Sequence, residues 1–237
     1  MAYWPLIQII VWGFITKFMG QHSTWLAQAA GALIGAVLLW DVLFRANLGV
    51  AIAFMEEIWS RNLGYLFASP LRPGELVASL LLLSLLRTII STMPAFILAA
   101  VFYSYSLFDL GFWLLAFFFL LLFCGYALGL LVAGLVLRYG QGAESLAWVG
   151  VFAISPLSGI YYPLDVLPTW VQPLALILPP SYVFEGMRAL VIENVVRLDL
   201  LGKALLWDGI YLSLGIWFFL RTISYAKDKG LILGGGE

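Results

Sequence analysis

Residues 54–71 read FMEEIWSRNLGYLFASPL, and they separate two long apolar stretches of the chain. Polar side chains recur in this segment every three or four positions with large apolar side chains between them, which is the pattern of an amphipathic helix. The polar set is Glu56, Glu57, Ser60, Arg61 and Gly64, and the apolar set is Phe54, Ile58, Trp59, Leu63 and Leu66. The pattern predicts a helix that lies flat at a membrane surface between two spans.

Two local features shape this predicted surface helix. Glu57 precedes Arg61 by four positions, which is the favourable order for a helical ion pair worth a few tenths of a kcal/mol. Pro70 and Pro73 lack backbone donors, so they are predicted to end the helix and turn the chain into the next apolar stretch. Periodicity alone does not distinguish an ordinary interfacial helix from one that contacts a partner protein.

The composition places most of the chain in lipid. Of 237 residues, 63% are apolar and 11% are charged, whereas globular proteins carry about a quarter charged residues. A span needs about 20 apolar residues, and six stretches are interpreted as spans: 3–19, 25–48, 76–102, 110–137, 146–162 and 204–223. The sequence therefore predicts an all-α polytopic membrane protein with six transmembrane helices, in one domain over residues 1–237.

Charged residues mark the connections between these spans. Only six fall inside a span, namely Lys17, Asp41, Arg45, Arg87, Asp208 and Arg221. Basic residues near span ends are retained on the cytoplasmic side. One side has Arg45, Arg61, Arg72, Arg138, Arg221, Lys227 and Lys229, and the other has Lys17, Arg188, Arg197 and Lys203. The excess predicts that both termini and the segment 54–71 are cytoplasmic.

Signatures of a site with its own chemistry are weak. The Gly202-Lys203 pair is followed by Ala204 and lacks the upstream glycine of a phosphate-binding loop. His22 has no Cys, Asp or Glu at ligand spacing, so no metal site is predicted. The single Cys124 excludes an internal disulfide, and the net charge of −1 does not indicate nucleic-acid binding.

Small residues at helical spacing indicate where helices approach closely. The pairs are Gly31 with Gly35 and Gly125 with Gly129. Such spacing lets two membrane helices pack without side chains between them, although Gly is also simply common in membrane helices.

Two ordered motifs resemble the type 2 ABC exporter permeases. The first is EIWSRN at 57–62 followed by SPLRPGE at 69–75, which is similar to the coupling-helix region of that family. The second is SGIYYPLDVLP at 158–168, with LPPSY at 178–182 and EGMR at 185–188, which is similar to the family's segment between its fifth and sixth spans. The motifs stand about a hundred residues apart within a six-span layout.

The resemblance implies that the chain is a transport subunit and not an enzyme. ATP and magnesium would bind to a separate ABC ATPase, and no cofactor is expected in this chain. The resemblance also implies a second permease copy, as a homodimer or a heterodimer, in a bacterial-type inner or plasma membrane. The residues expected to contact the ATPase are Glu56, Glu57, Arg61, Asn62, Leu66, Ser69, Pro70 and Leu71.

In that family the segment after the fifth span forms a re-entrant helical hairpin on the outer side. Repeated prolines and short apolar pieces between residues 163 and 195 agree with this, and Ser181 is a candidate N-cap for a helix that reaches Ile192. The expected gate residues are Gly159, Tyr161, Tyr162, Pro163, Leu164, Pro168, Pro179, Pro180, Tyr182, Glu185 and Arg188. A static lid without a gating role is the alternative.

Three charges inside the spans are candidate pathway residues. Arg87 lies near the middle of the third span, where an unpaired charge costs about 2.5–3.5 kcal/mol. It is therefore expected to face the bundle or a wet cavity, with Asp41 as a possible partner in contacting substrate. Asp41 and Arg45 share one helical face four positions apart, and a structural ion pair between them is the alternative.

The N-terminus departs from the family pattern. No cleavable signal precedes the first span, which is expected to stay as an anchor. Family members usually begin with a cytoplasmic amphipathic helix that this chain lacks, so either the start is truncated or misassigned, or the ATPase cradle is shallower.

The sequence does not identify the substrate, which the resemblance places among amphipathic, lipid-like, glycan or drug-like molecules. A passive channel or membrane scaffold would need no ATPase, and its segment 54–71 would tolerate mutation. An intramembrane enzyme would need a catalytic pair that the sequence does not display.

Overall fold

The computed structural model describes residues 24–103 and 110–229, and these residues form helices and turns without a β-strand. The helices are α1 (Thr24–Trp59), α2 (Leu63–Ala68), α3 (Pro73–Tyr103), α4 (Phe112–Tyr139), α5 (Leu146–Ile154), α6 (Gln172–Ala175), α7 (Pro179–Glu193) and α8 (Leu198–Asp228). The predicted first span, 3–19, and His22 lie outside the described residues. Gly202 and Lys203 lie within α8.

Four helices in the described part of the chain are long and apolar enough to cross a membrane. They cover Leu33–Trp59, Pro73–Ala99, Phe112–Tyr139 and Leu198–Asp228. These helices contain most or all of the predicted second, third, fourth and sixth spans. The chain is therefore a multi-pass membrane protein.

The predicted fifth span, 146–162, is not one long helix. α5 ends at Ile154, and a 3-10 turn at Ser155–Leu157 follows. Pro156 lies in this turn, and Gly159 adopts a left-handed backbone with φ of 66°. The apolar helical stretch Gly142–Leu157 would extend about 24 Å at 1.5 Å per residue, less than a hydrocarbon core of about 30 Å. The described residues thus contain four long spans and one shorter apolar stretch.

The predicted single surface helix over residues 54–71 is wrong. α1 continues to Trp59, residues 60–62 form a turn, and the separate α2 follows. Phe54 is fully buried, and its ring packs edge-on against Phe219 of α8 with 5.1 Å between centroids. Burial of Phe54 in the bundle therefore extends α1 into the segment that periodicity assigns to the surface.

α1 and α4 pack with their backbones in close contact at two glycines. A Cβ placed on Gly125 would lie 2.6 Å from the Ala46 Cβ, and one on Gly129 would lie 2.7 Å from the Val50 Cβ. Real Cβ atoms do not approach so closely, so only glycine fits at either position. The Gly125–Gly129 spacing has the role predicted for it, whereas the contacts of Gly31 lie outside the described residues.

The opposite face of α4 packs against α8 through further glycines. A Cβ on Gly215 would lie 2.9 Å from the Ala127 carbonyl oxygen, and one on Gly134 would lie 2.7 Å from the Phe218 ring. From Gly125 to Gly129 of α4 the contacts on α1 move from Ala46 to Val50, and from Ala127 to Gly134 the contacts on α8 move from Gly215 to Phe218. Residue numbers therefore increase in the same direction along α1, α4 and α8, and the three helices run parallel. The candidate span of α1 is 83% buried and that of α8 only 22%, which makes α1 central and α8 peripheral.

Polar side chains add hydrogen bonds between the packed helices. The Ser84 hydroxyl of α3 donates to the Ala46 carbonyl of α1 at 2.9 Å. The Asn47 amide of α1 donates to the Ala147 carbonyl of α5 at 2.8 Å. Such bonds contribute about 0.6 kcal/mol each on average between membrane helices, so close packing remains the main stabilising interaction.

Gly129→Ala is expected to lower the free energy of unfolding by about 1–3 kcal/mol, because the new methyl group overlaps Val50 and the Asn47 carbonyl oxygen. The measurement is the thermal unfolding midpoint of the full chain in detergent. Gly209→Ala is the matched control, since nothing lies within 4 Å of its added Cβ on α8. An equal effect of the two substitutions would contradict the close approach of α1 and α4.

Candidate functional site

The connection between α1 and α3 together with the last turn of α1, residues 57–72, is called the elbow. Arg61 has a left-handed backbone with φ of 54°. Its N–H donates to the Ile58 carbonyl at 3.0 Å, and the Asn62 N–H donates to the Glu57 carbonyl at 3.0 Å. This pair of bonds is the Schellman motif, which usually places glycine at the left-handed position. An arginine there costs of order 1–3 kcal/mol, so the elbow carries a cationic side chain at a position that favours glycine.

Glu57 stabilises the turn by a different contact from the one predicted. Its Oε2 accepts a hydrogen bond from the Asn62 side-chain amide at 2.7 Å. The predicted helical pairing of Glu57 with Arg61 requires continuous helix, but the left-handed Arg61 ends the helix first. Arg61 is exposed, and Glu57 therefore acts within the elbow as a half-buried acceptor that fixes its shape.

The remainder of the elbow is also held at defined points. The Glu75 side chain accepts from the Arg72 N–H at 2.9 Å and caps the start of α3. The Ser69 hydroxyl donates to the Leu66 carbonyl at 2.6 Å. Leu63 is buried with 8% exposure and belongs to the hydrophobic core. These contacts attach the elbow to the bundle.

The outward surface of the elbow combines aromatic, aliphatic and cationic groups. Tyr65 is 80% exposed, and Trp59 and Leu71 are 49% and 38% exposed. Tyr, Trp and Arg are the residues most enriched at the energetic centres of protein interfaces. Of the predicted contact residues, the exposed ones are Glu56, Arg61, Ser69, Pro70 and Leu71, and the half-buried ones are Glu57, Asn62 and Leu66. Tyr65 is absent from that prediction because sequence does not reveal side-chain exposure.

A polar cluster fastens the segment of residues 163–195, which is called the hairpin segment. The Glu185 Oε1 accepts from the Leu164 N–H at 2.9 Å and from Arg188 Nη1 at 2.7 Å. Arg188 Nη2 donates to the Gly159 carbonyl at 2.7 Å. Four predicted gate residues separated by up to 29 positions are thus brought into one hydrogen-bonded group.

Tyrosines bridge neighbouring turns around this cluster. The Tyr182 hydroxyl donates to the Leu176 carbonyl, and the Tyr162 hydroxyl donates to the Pro156 carbonyl, each at 2.6 Å. The predicted gate residues Tyr161, Pro163 and Pro168 are exposed.

The start of α7 differs from the prediction. Pro179 and Pro180 are buried at its first two positions, where the missing N–H groups have no intrahelical partner to lose. Leu178 is the N-cap, and no side chain caps the helix there. Ser181 lies within the helix instead, and its hydroxyl donates to the Leu157 carbonyl at 3.2 Å. The predicted N-cap at Ser181 is therefore wrong, because the proline pair already fixes helical φ.

The hairpin segment extends along α8. The Tyr211 hydroxyl donates to the Ile177 carbonyl at 3.2 Å. Tyr211 follows Leu198, the first residue of α8, by thirteen positions, which corresponds to about 20 Å along the axis. The chain before α7 therefore lies well along the side of a membrane-spanning helix.

The predicted pathway charges form two separate ion pairs. Arg45 Nε lies 2.7 Å from Asp41 Oδ2, which is the pair expected from their spacing on α1. Arg87 is paired with Glu56, whose Oε2 lies 2.7 Å from Arg87 Nη2. A joint contact of Arg87 and Asp41 with substrate stays a prediction. Helical side chains lean toward the N-terminus of their helix, and this directs the long Arg87 side chain toward the elbow end of the bundle.

Two grooves lie on either side of the Asp41–Arg45 pair. The α1–α3 groove, with an empty volume of about 410 Å³, contains Arg45 and Arg87. The α1–α5 groove, about 440 Å³, contains Asp41 and Tyr161. The α1–α3 groove is lined by Arg45, Leu48, Gly49, Ile52, Arg87 and Ser91, and the lining of the α1–α5 groove includes Val37, Trp40, Asp41, Phe44, Ser155 and Tyr161. All three predicted pathway residues therefore border a groove.

Asp208 of α8 is a buried carboxyl that the sequence interpretation did not assign to a site. It is 1% exposed, and neither carboxylate oxygen has a hydrogen-bond partner in the described part of the chain. A buried ionisable group in a membrane span is a candidate functional group. The sequence does carry a signal for this group. Asp208 is the one acidic residue in the last predicted span, 204–223, and no basic residue lies one helical turn away from it.

Comparison with known families gives one match. The model of the family described as ABC-2 type transporter matches residues 1–192. This range contains the elbow, both grooves and all but the last three residues of the hairpin segment. A search of curated proteins found no match.

Arg188→Met is expected to raise amide hydrogen exchange at residues 159–164 about tenfold or more. The substitution removes charge-assisted bonds to Gly159 and Glu185, each worth about 1.5–3 kcal/mol. Hydrogen-exchange mass spectrometry of the full chain measures this. Arg197→Met is the matched control, because Arg197 pairs with Asp199 on the exposed surface. Unchanged exchange in the Arg188 variant would show that the cluster does not fasten the segment.

Asp208→Val is expected to raise the thermal unfolding midpoint in detergent, because an unsatisfied buried polar group costs about 1–3 kcal/mol. Asp199→Val, at an exposed position of the same helix, is expected to leave the midpoint nearly unchanged. A lower midpoint for the Asp208 variant would mean that the carboxyl makes a stabilising contact.

Proposed function

The chain belongs to the ABC-2 type transporter family, and on that premise we propose that it is the permease subunit of an ATP-driven exporter. The membrane domain of this family is a transport subunit, and the family implies partnership with an ABC ATPase. The proposed substrate is an amphipathic molecule, lipid-like, glycan or drug-like, moved out of the cytoplasm or the inner leaflet. ATP and magnesium bind to the partner ATPase in this proposal.

The elbow is the proposed ATPase contact. Its shape is fixed by the Schellman motif at Arg61 and by the bond from Asn62 to Glu57, so a force applied there reaches α1 and α3. Its surface presents Tyr65, Trp59 and Leu71 together with the Arg61 guanidinium. The single observation that carries the proposal is the presence of an arginine at the left-handed position of the turn.

The proposed orientation places the elbow in the cytoplasm. Because α1, α4 and α8 run parallel, their C-terminal ends lie at the same end of the bundle. Basic residues near that end are Arg61, Arg72, Arg138, Lys227 and Lys229. Cytoplasmic loops carry such an excess of Lys and Arg, which supports an inner or plasma membrane location with both termini inside.

The hairpin segment is the proposed outer gate. The proposal is supported by the direction of α8, which follows the hairpin segment and begins at the end of the bundle opposite the elbow. It is also supported by the contact of Ile177 with Tyr211 well along α8. Non-helical backbone at membrane depth is tolerated where protein or a water-lined cavity surrounds it. A re-entrant arrangement that shields the outer end of a pathway fits these contacts.

Transport is proposed to run between two copies of the chain, in a homodimer. Closure of two ATPase subunits on ATP pushes the elbows, α1 and α3 tilt, and the path opens outward. The ATPase shifts this equilibrium only if it contacts the elbow differently in the two states.

Glu57→Arg is expected to abolish copurification of the ATPase in mild detergent, because it removes the Asn62 acceptor and reverses charge on the elbow. Tyr65→Ala is expected to weaken the association at least about tenfold, as truncation of an interface centre costs 2 kcal/mol or more. Association is measured by affinity purification and by titration of the purified ATPase.

Two controls match these substitutions. Glu193→Arg reverses an exposed charge near the opposite end of the bundle, and Tyr139→Ala truncates a tyrosine that is 67% exposed at the end of α4. Full retention of the ATPase by both elbow variants would rule out the elbow as its contact and would favour a passive channel or scaffold.

A further inference from the structure

The lining of the α1–α3 groove includes two arginines but not their acidic partners. Arg45 and Arg87 both border it, whereas Asp41 and Glu56 do not. Asp41 lines the α1–α5 groove instead, and Glu56 is exposed. The charged residues that border the α1–α3 groove are therefore both basic, and each is paired with an acidic residue outside the lining.

Arg87 has hydrogen-bonding capacity that the described residues leave unused. Its Nη2 donates to Glu56, but Nη1 is buried and has no acceptor among them. A buried donor without an acceptor is energetically unfavourable. A guanidinium matches the geometry of carboxylate and phosphate oxygens. An oxyanion that reached Nη1 between α1 and α3 would satisfy this donor.

The surroundings of the two arginines are apolar. Leu48 and Ile52 of α1 line the same groove, and Leu86 and Ile90 of α3 are 51% and 70% exposed on the adjoining surface. A fully water-soluble anion would gain nothing from these side chains. An amphiphile could instead place its headgroup at the arginines and its chain along the exposed face of α3.

We propose that the α1–α3 groove binds the anionic headgroup, phosphate or carboxylate, of an amphiphilic substrate. Arg87 and Arg45 bind the headgroup, and Glu56 and Asp41 are the carboxylates with which it competes. This proposal deepens the exporter function proposed above by naming its substrate class. It rests on that function only in treating the bound molecule as a substrate. Displacement of Asp41 from Arg45 opens the boundary between the α1–α3 and α1–α5 grooves.

Binding of dodecyl phosphate to the purified full chain in a neutral maltoside detergent tests the proposal. Calorimetric titration is expected to show saturable binding. Dodecyltrimethylammonium, which has the same chain and the opposite charge, is expected to bind at least about tenfold more weakly, as is inorganic phosphate. Equal binding of the cation would overturn the recognition of an anion. Equal binding of inorganic phosphate would overturn the recognition of an amphiphile.

Substitutions at the two ion pairs are expected to act in opposite directions. Arg87→Met weakens dodecyl phosphate binding about tenfold, because it removes a charged donor. Glu56→Gln and Asp41→Asn each tighten binding about threefold, because they remove a competing carboxylate. A role for the pairs in stability alone would not produce this reversal of sign. Arg221→Met is the control, since Arg221 lies over the Trp217 ring on α8, outside the groove.

Two outcomes would overturn the proposal, namely unchanged binding by Arg87→Met and weaker binding by both carboxylate variants. Should Arg87→Met fail to fold in size-exclusion chromatography, the carboxylate variants decide instead. The titration contains no ATPase, so its failure would leave the elbow contact standing. Loss of the elbow contact would likewise leave the binding result intact.

Discussion

Close contact between the backbones of α1 and α4 at Gly125 and Gly129 is the constraint on which the other features depend. In lipid the helices gain little from hydrophobic association, because the acyl chains are as apolar as the side chains. Packing distance and interhelical hydrogen bonds must supply the stability instead. α4 provides glycine contacts on two faces, which fixes α1 on one side and α8 on the other.

α1 connects the parts to which we assign a function. It ends in the elbow, it carries the Asp41–Arg45 pair, and it borders both grooves. The Glu56–Arg87 pair joins the last turns of α1 to the middle of α3. A displacement of the elbow therefore moves the groove charges with it, and an anion bound at Arg87 alters a contact close to the elbow. Coupling of this kind needs only the two helices and their ion pairs.

Local features of the sites follow from sequence, and distant contacts do not. A spacing of four positions on one helix predicts the Asp41–Arg45 pair, and the repeated prolines predict the turns of the hairpin segment. Arg87 pairs with Glu56, 31 positions away, and Arg188 donates to the Gly159 carbonyl, 29 positions away, in addition to its helical neighbour Glu185. No helical period reports contacts at these two long distances. The exposure of Tyr65 and the isolation of Asp208 also depend on which surfaces the neighbouring helices cover.

Composition and spacing are enough to establish that the chain is helical, lies in lipid and carries the motifs of its family, because both act within a single segment. The packing of the helices accounts for the continuation of α1 through Phe54 to Trp59, since burial against Phe219 outweighs the amphipathic pattern there. It also decided that Arg61 ends the helix in a left-handed turn, and that the fifth apolar stretch is short. Each of these outcomes depends on contacts between segments, which a pattern along one segment does not contain.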